Sequence, residues 1–406
     1  MAGQVIPAPG SSSAVYPPNP SAIVVAIDPG HGGCLDWGVP NPYDNKVAKS
    51  EKADTLGIAL AMRDLLTAQG ITVVLTHTDD TALAGDLYPP LGCKGAPFRD
   101  VNGDGVTGFG PGVPDATRTR DELSARIDLA NLARADLFIS IHINSMTENG
   151  VLYKIAASQT FYTDAFAWAD ASHRLASAVE ADVARAMGKA GAYGRQDRGV
   201  DGSAPYLYVL KPAGSDAKSP RRGLLMPAIL SEVGSVSLKA ESELLATATG
   251  REAAAAGVYN GIVDYLHQRP LAARIDALVP GGTAGTAPQA VPGTGPPFWP
   301  PIVPRGGTVM VRLTNTGTSS WPAGMRLVSG WQASSNPYLA VAPAHLQTAD
   351  AQVPTLKPGE SVELSVQLAV PSSSARQVAW IALATANGTT LTSYGSPPVQ
   401  LASASP

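Results

Sequence analysis

The sequence predicts an α/β domain followed by a small antiparallel β-sandwich, and three observations carry that prediction. Residues 22 to 264 alternate short apolar, β-branched runs with helical patterns, the arrangement of an α/β domain. From Val279 to about Arg305 the chain is Gly, Pro, Ala and Thr with almost no charge, which is linker composition. Beyond it, apolar residues alternate with period two between turn-forming clusters, as they do in a sandwich. A length of 406 residues also exceeds what one hydrophobic core usually serves. The expected boundaries are a disordered leader over 1–21, the α/β domain over 22–268 with an insertion at 78–117, a linker over 269–305, and the sandwich over 306–406.

Each element has a local reason. Ala22 to Ile27 (AIVVAI) is short, β-branched and bounded by Asp28-Pro29-Gly30, which suits a buried strand. From Ser50 to Gln69, Ile58, Met62, Leu65 and Leu66 share one helical face, and Gly70 supplies the stop. Ile71 to Thr76 reads as a second strand. Arg118 to Arg134 reads as a helix leading into Leu137 to Ile143. In that strand Leu137, Ile139, Ile141 and Ile143 share one face, and Phe138, Ser140, His142 and Asn144 share the other. Phe166 to Met187 is Ala-rich and helical, Pro227 to Leu230 a short strand, and Leu238 to Leu266 one closing helix. In the sandwich, Thr308 to Leu313 and Ser361 to Val370 alternate with period two. Turn chemistry falls at Asn315 to Ser320, Lys357-Pro358-Gly359 and Asn387-Gly388.

A formal net charge of -4 gives no basic surface to argue for nucleic acid and disfavours a polyanionic partner. No stretch is long and apolar enough to span a bilayer, and the N-terminus lacks the charged, apolar and small-residue succession of a signal peptide. The insertion is rich in Gly and Pro and too long for an ordinary connection, which points to a lid or rim loop. Its Asp100-Val101-Asn102-Gly103-Asp104-Gly105 matches the first half of a Ca²⁺ loop, with Asp100, Asn102 and Asp104 as ligands. The twelfth position, however, is Pro111 rather than a bidentate Glu. An Asx-rich turn is the alternative, and Asp115 or Glu122 are the residues that would complete a nonstandard site. The two cysteines, Cys34 and Cys93, suffice for one bridge in an oxidising compartment or remain two free thiols.

Four side chains carry chemistry. His31 sits between glycines in Asp28-Pro29-Gly30-His31-Gly32-Gly33, at the C-terminal end of the first strand, where open α/β sheets present ligands. Glu51 opens the first long helix and, taken alone, also reads as a carboxylate answering the helix dipole. His142 emerges on the polar face of an otherwise apolar strand, where an unpaired ring is costly and calls for a partner or a metal. Glu232 follows the strand Pro227 to Leu230. Two His and one Glu form the open three-ligand set of catalytic Zn²⁺, with the fourth position left for water. The remaining carboxylate, Glu232, then suits a general base.

Four segments resemble the zinc-dependent N-acetylmuramoyl-L-alanine amidases of the amidase 3 family: Val24 to Gly33, Glu51 to Thr76, Leu123 to Asn144 and Met226 to Gly234. The motifs are Asp28-Pro29-Gly30-His31-Gly32-Gly33, Ala135-Asp136-Leu137-Phe138-Ile139-Ser140-Ile141-His142-Ile143-Asn144, and Ile229-Leu230-Ser231-Glu232-Val233-Gly234. The resemblance covers about residues 22 to 266. It implies an open mixed sheet flanked by helices, one catalytic Zn²⁺ on His31, Glu51 and His142, and Glu232 as catalytic residue. It further implies hydrolysis of the amide between N-acetylmuramic acid and L-alanine in peptidoglycan, and hence extracytoplasmic action. Asp28, Ser140, Asn144 and Arg198 are the further candidates for orienting ligands or meeting substrate. Asp197-Arg198-Gly199-Val200 and Tyr208-Val209-Leu210 match the family's substrate-side strand region more loosely. Where the family has a short turn with Thr-Arg after the second strand, this chain has Thr76-His77 and the insertion.

The C-terminal module resembles four-tryptophan immunoglobulin-like domains through Leu313-Thr314-Asn315-Thr316-Gly317, Trp321-Pro322-Ala323-Gly324 and Leu356-Lys357-Pro358-Gly359-Glu360. Its tryptophans, Trp299, Trp321, Trp331 and Trp380, are expected in the core rather than as a binding platform. The module is expected to bind a wall or protein partner, or to act as a spacer. A zinc carboxypeptidase is the nearest alternative activity, although its first two ligands lie close together in sequence, unlike His31 and Glu51. A wall-binding protein with a dead site is the other alternative, and the four intact side chains argue against it.

Overall fold

The computed structural model describes residues 5–6, 19–33, 36–44, 46, 50–84, 101, 119–148, 151–152, 154–191, 194–203, 207–213, 223–278, 302–304, 306–333, 347–369 and 377–403. In the first domain the elements run β1 (Val24–Pro29), α1 (Glu51–Ala68), β2 (Thr72–Leu75), α2 (Arg120–Leu132), β3 (Leu137–Asn144) and β4 (Ala156–Phe161). They continue with α3 (Ala169–Gly191), β5 (Arg195–Asp201), β6 (Ala228–Ser235), α4 (Lys239–Leu245) and α5 (Ala248–His267). The six strands lie in the order β2-β1-β3-β6-β4-β5. All neighbours are parallel except β4 and β6, so the sheet is open and mixed.

Apolar rungs run across the sheet because the register aligns Ile27 with Ile139 and Ile139 with Ile229. Leu137, Ile139, Ile141 and Ile143 of β3 pack into one core with Ile58, Met62 and Leu66 of α1, Val179 and Val183 of α3, and Val258 and Ile262 of α5. Phe138 points the other way, into a second core with Ile127 and Ala130 of α2. Helices therefore cover both faces, which explains why the strands read as continuous apolar runs. α3 and α5 pack closely because α5 carries Gly257 and Gly261 at the crossing, where a Cβ on Gly261 would come within 2.6 Å of the Val179 backbone nitrogen.

Three sequence expectations are corrected in this domain. The single closing helix is two helices, because Thr247 adopts an extended conformation and its side chain caps α5 by accepting from Gly250 N. β6 is longer than Pro227 to Leu230 and carries Glu232 within the strand. Tyr208–Leu210 forms a 3-10 turn and not a strand.

The second domain pairs β7 (Ala273–Leu278), β8 (Thr308–Asn315) and β11 (Ser361–Gln367) in one sheet. Its other sheet contains β9 (Arg326–Ala333), β10 (Gln347–Gln352), β12 (Gln377–Ala384) and β13 (Val399–Ser403). Two boundary expectations change with it. Residues 273–278 of the expected linker form β7, paired with β8 along its whole length, because α5 hands the chain directly to the sandwich edge. Within the expected disordered leader, Val5–Ile6 pairs with Val362 and Ser361 of β11.

Trp321 and Trp380 are fully buried and Trp331 is half-buried, while Trp299 lies outside the described residues. Trp321 fills the sandwich core and donates Nε1–H to Ala272 O at 3.2 Å. β12 is buried on both faces, which is unusual in a small sandwich. Ala379, Ile381 and Leu383 face the sandwich core, whereas Val378 and Trp380 pack against Leu225 of the α/β domain. At the same junction Arg134 donates to Ile275 O and pairs with Asp276, and Arg274 donates to Arg134 O at 3.1 Å. Arg134 and Leu225 precede β3 and β6, so the sandwich docks at the N-terminal end of these parallel strands. Trp380→Ala is expected to cost about 3–5 kcal/mol and to lower the unfolding midpoint of both domains together, read by denaturant titration with far-UV circular dichroism. A separate, unshifted transition for the α/β domain would show that the docking contributes nothing.

Candidate metal and catalytic site

The site is built at the opposite, C-terminal ends of β1, β3 and β6. Gly30 N donates to Ile141 O at 2.8 Å, extending the β1–β3 pairing by one residue before the chain turns away. A Cβ on Gly30 would lie 2.5 Å from His142 Cε1, so the thin backbone leaves room for that ring. His31 then adopts the left-handed region with φ 68°, followed by Gly32 at 136° and Gly33 at 61°. The turn closes by a bond from Gly32 N to Asp36 O of 2.8 Å.

This turn aims His31 at Glu51, and His142 meets them from β3. His31 Nε2 lies 3.0 Å from Glu51 Oε1, and His142 Nδ1 lies 3.3 Å from the same oxygen. The imidazoles meet edge to face with centroids 4.6 Å apart. One ligand atom from each of His31, Glu51 and His142 falls within 4.8 Å of the others. Glu51 is held in place by two backbone donors, Ile143 N to Oε1 at 2.9 Å and Val39 N to Oε2 at 2.6 Å. The second of these needs Gly38, where any Cβ would collide with the Glu51 carboxylate.

The donor set fits a divalent cation. Both ring nitrogens of His31 are buried and lack a hydrogen bond of good geometry, although each faces a carboxylate. Burial works against a charge on His31, but the Glu51 charge and the Asp36 carboxylate 2.9 Å from Nδ1 outweigh it and push the imidazole up to about 10. Such a pocket calls for positive charge, and a carboxylate at Nδ1 with Nε2 turned to the other donors is the usual framing of a histidine ligand.

Glu232 stands beside this cluster. It is the Cα partner of His142 across the β3–β6 pair, and its buried Oε2 has no hydrogen-bond partner. Burial, then repulsion from Glu51, raises this carboxyl well above its ordinary range. A cation held by His31, Glu51 and His142 would offset the second cause and draw Glu232 back toward ionisation.

Behind His31 lies a buried ionic network. Asp28 accepts from Arg126 at 2.7 Å, Thr76 at 2.8 Å and Ser140 at 2.8 Å. Asp28 and Ser140 thus support the loop from below. Lys52, buried next to Glu51, donates to Gly33 O at 2.7 Å and pairs with Asp80 at 2.8 Å, while Gly33 N donates to Asp80 at 2.7 Å. His77 is buried, and burial together with the Arg126 charge lowers its imidazole to about 3, so it packs as a neutral ring.

A cleft of about 370 Å³ opens beside His31 and His142. Thr119, Arg120 and Leu123 line one side, and Leu207, Tyr208 and Lys211 another. Asp28 reaches this cleft. Neither Ser140 nor Asn144 lines it, and Asn144 O accepts from Val236 N at 2.9 Å. Arg198 is exposed on the edge strand β5, outside the cleft lining, with Nη1 3.4 Å from Met146 Sδ. Cys34, Cys93, Asp100, Asn102, Asp104 and Asp115 lie outside the described residues. Glu122, one residue considered for completing a Ca²⁺ loop, is engaged otherwise: its oxygens accept from Arg126 Nη2 and Ala84 N, both at 2.8 Å. Asp36, Lys52, Asp80 and Arg126 were not expected from the sequence. Asp36 alone had a usable signal, its place in the Gly-rich loop five residues after His31.

The model of a family described as N-acetylmuramoyl-L-alanine amidase matches residues 25–264. The chain belongs to this amidase family. The matched span contains His31, Glu51, His142 and Glu232. A second model, an Ig-like domain from next to the BRCA1 gene, matches residues 308–395 and agrees with the sandwich. The chain is similar to the germination-specific N-acetylmuramoyl-L-alanine amidase of Bacillus subtilis (strain 168), 26% identical over 249 residues, 61% of this chain and 82% of the relative. Among solved structures it is similar to the CwlD amidase of Clostridioides difficile, determined in complex with the GerS lipoprotein. That match has 25% identity and a TM-score of 0.40 and covers 60% of this chain and 98% of the other. The catalytic domain of CwlV, an N-acetylmuramoyl-L-alanine amidase from Bacillus (Paenibacillus) polymyxa, matches at 26% identity with a TM-score of 0.38, covering 60% and 98% of the two chains.

In the amidase domain β4, the strand beside β6, is braced by one more carboxyl. Glu180 of α3 accepts from Ser158 at 2.7 Å and Thr160 at 2.8 Å, and Thr160 in turn reaches Ser231, beside Glu232, at 3.2 Å. Burial, helped by nearby Asp197, raises Glu180 to about 7 against the bonds from Ser158 and Thr160. A carboxyl raised on folding stabilises the protein fully below its unfolded value, and that contribution is lost as pH rises through the folded value. Between about pH 4.5 and pH 7, unfolding free energy is therefore expected to fall more steeply in the wild type than in Glu180→Gln. Urea titrations at several pH values check this, and parallel slopes for the two proteins would contradict it.

Proposed function

We propose that the chain is a Zn²⁺-dependent amidase that hydrolyses the amide between N-acetylmuramic acid and L-alanine in bacterial peptidoglycan, acting outside the cytoplasm. The observation that carries the catalytic part is the buried, unpartnered Glu232 carboxylate oxygen beside the convergent donors of His31, Glu51 and His142. When bound, zinc would polarise a carbonyl and acidify a water. His31, Glu51 and His142 would hold it, and the backbone donors of Val39 and Ile143 fix the Glu51 carboxylate in place. Glu232 takes the proton of the attacking water at its free oxygen and returns it to the leaving nitrogen, a transfer typically worth about 10²- to 10⁴-fold in rate. The cleft beside His31 and His142 receives the glycan-linked peptide, with Tyr208 and Leu207 as apolar wall.

Family membership supports the choice of bond, and the donor set supports zinc over a harder cation, since two imidazoles and one carboxylate suit it. The sandwich acts in this reading as a spacer or as a module for wall or protein partners. Its docking at the far end of the sheet keeps any such partner away from the cleft. Digestion of purified peptidoglycan tests the reading: new L-alanine amino termini should appear without new reducing sugar ends. Release of free C-terminal amino acids instead would mark a carboxypeptidase, and no product from zinc-loaded protein would mark a binding protein.

A further inference from the structure

We infer that Arg126 is a positioning residue for the metal cluster: its guanidinium holds the turn that presents His31 and ties that turn to the root of the 78–117 insertion. The inference rests on the metal-site reading above. None of the four chemistry-bearing side chains comes from α2, yet α2 sends Arg126 across to the loop after β1, where its side chain is 1% exposed. Nη1 donates to Asp28 Oδ1 at 2.7 Å and to Pro29 O at 2.6 Å. Nη2 donates to His31 O at 2.6 Å and to Glu122 Oε1 at 2.8 Å. The carbonyls on both sides of Gly30 are thus taken by one planar group, and Thr55 takes the Gly30 carbonyl itself at 2.7 Å.

The conformation held in this way does not maintain itself. His31, Gly32 and Gly33 all have positive φ, and His31 carries a Cβ that disfavours this region. A loop released from its carbonyl anchors relaxes toward negative φ at His31, which turns Nε2 away from Glu51. Only arginine supplies a rigid fork that meets two carbonyls and two carboxylates together; lysine offers a single centre. Asp28 and Glu122 balance its charge, so the group is stable in the buried position. Glu122 extends the brace outward, since its second oxygen accepts from Ala84 N at the start of the insertion. On the opposite side, Asp80 holds Gly33 N and Lys52. The root of the insertion is therefore a structural support of the metal loop.

The test is zinc titration of full-length, metal-free protein in competition with a chromophoric chelator, alongside thermal unfolding of the same metal-free samples. Arg126→Gln and Arg126→Lys are expected to weaken zinc binding by about 10- to 100-fold, the usual effect of losing a group that orients a metal ligand. Arg126→Lys keeps the charge between Asp28 and Glu122, and it carries the test if the glutamine variant does not fold. Arg134→Gln removes a guanidinium that is engaged at the domain junction and not at the metal loop. It is expected to lower the unfolding temperature without moving zinc affinity. Wild-type zinc affinity in Arg126→Lys, or an equal loss in Arg134→Gln, overturns the positioning role. A wild-type chain that binds no zinc overturns instead the metal reading beneath it.

Discussion

Glu232→Gln is expected to slow amide cleavage by about 10²- to 10⁴-fold while zinc content stays at the wild-type level. The substitution keeps the side chain's volume in a strand whose neighbours are all packed, and it removes only the ability to take a proton. Glu232 is not among the three residues whose donor atoms converge, so the metal loses no ligand. Its Oε2 makes no hydrogen bond that the fold depends on, so the variant also keeps its stability. Elemental analysis of the purified variant, with amino-terminal release from peptidoglycan, separates these quantities. Zinc loss equal to that of a His142 variant would mean that Glu232 is a ligand and that the base lies elsewhere.

Much of this candidate site was legible because its donor residues sit where local pattern and motif coincide. β3 alternates strictly, so the sequence alone puts His142 on the face away from Ile139 and Ile141, and the glycines around His31 announce a close approach that Gly30 and His142 make. Arg126 was hidden for the opposite reason. In sequence it is one charged residue on a helix rich in charges, and the loop groups it anchors lie 95 to 98 positions away. Local pattern reports which face of an element is apolar; it does not report which distant carbonyls need a donor. The same limit explains the sandwich boundaries. β7 has the composition of a strand, but its partner β8 lies beyond a Gly- and Pro-rich stretch that made the whole segment read as linker. β12 reads as continuous apolar sequence because a second domain covers its outer face, a contact that periodicity alone does not assign.

The contrast with Glu232 is sharpest at His142. His142→Ala is expected to lose zinc and turnover together, because the cluster falls from three protein donors to two and the remaining imidazole, His31, keeps only Glu51 beside its Nε2. The loss should not come from unfolding. The His142 ring is 18% exposed at the rim of the cleft, and the residues of β3 that hold the core, Ile139, Ile141 and Ile143, are untouched. Thermal unfolding with and without zinc distinguishes the two causes. A ligand that binds only the folded state at 100 times its Kd adds about 2.7 kcal/mol, so the wild type should melt higher with zinc while His142→Ala should not move. Without zinc the two proteins should melt at similar temperatures. A zinc-dependent rise that survives in His142→Ala would show that the metal is held by another set of side chains. In that event Glu232, whose neighbour across the β3–β6 pair is His142, would lose its place beside the metal as well.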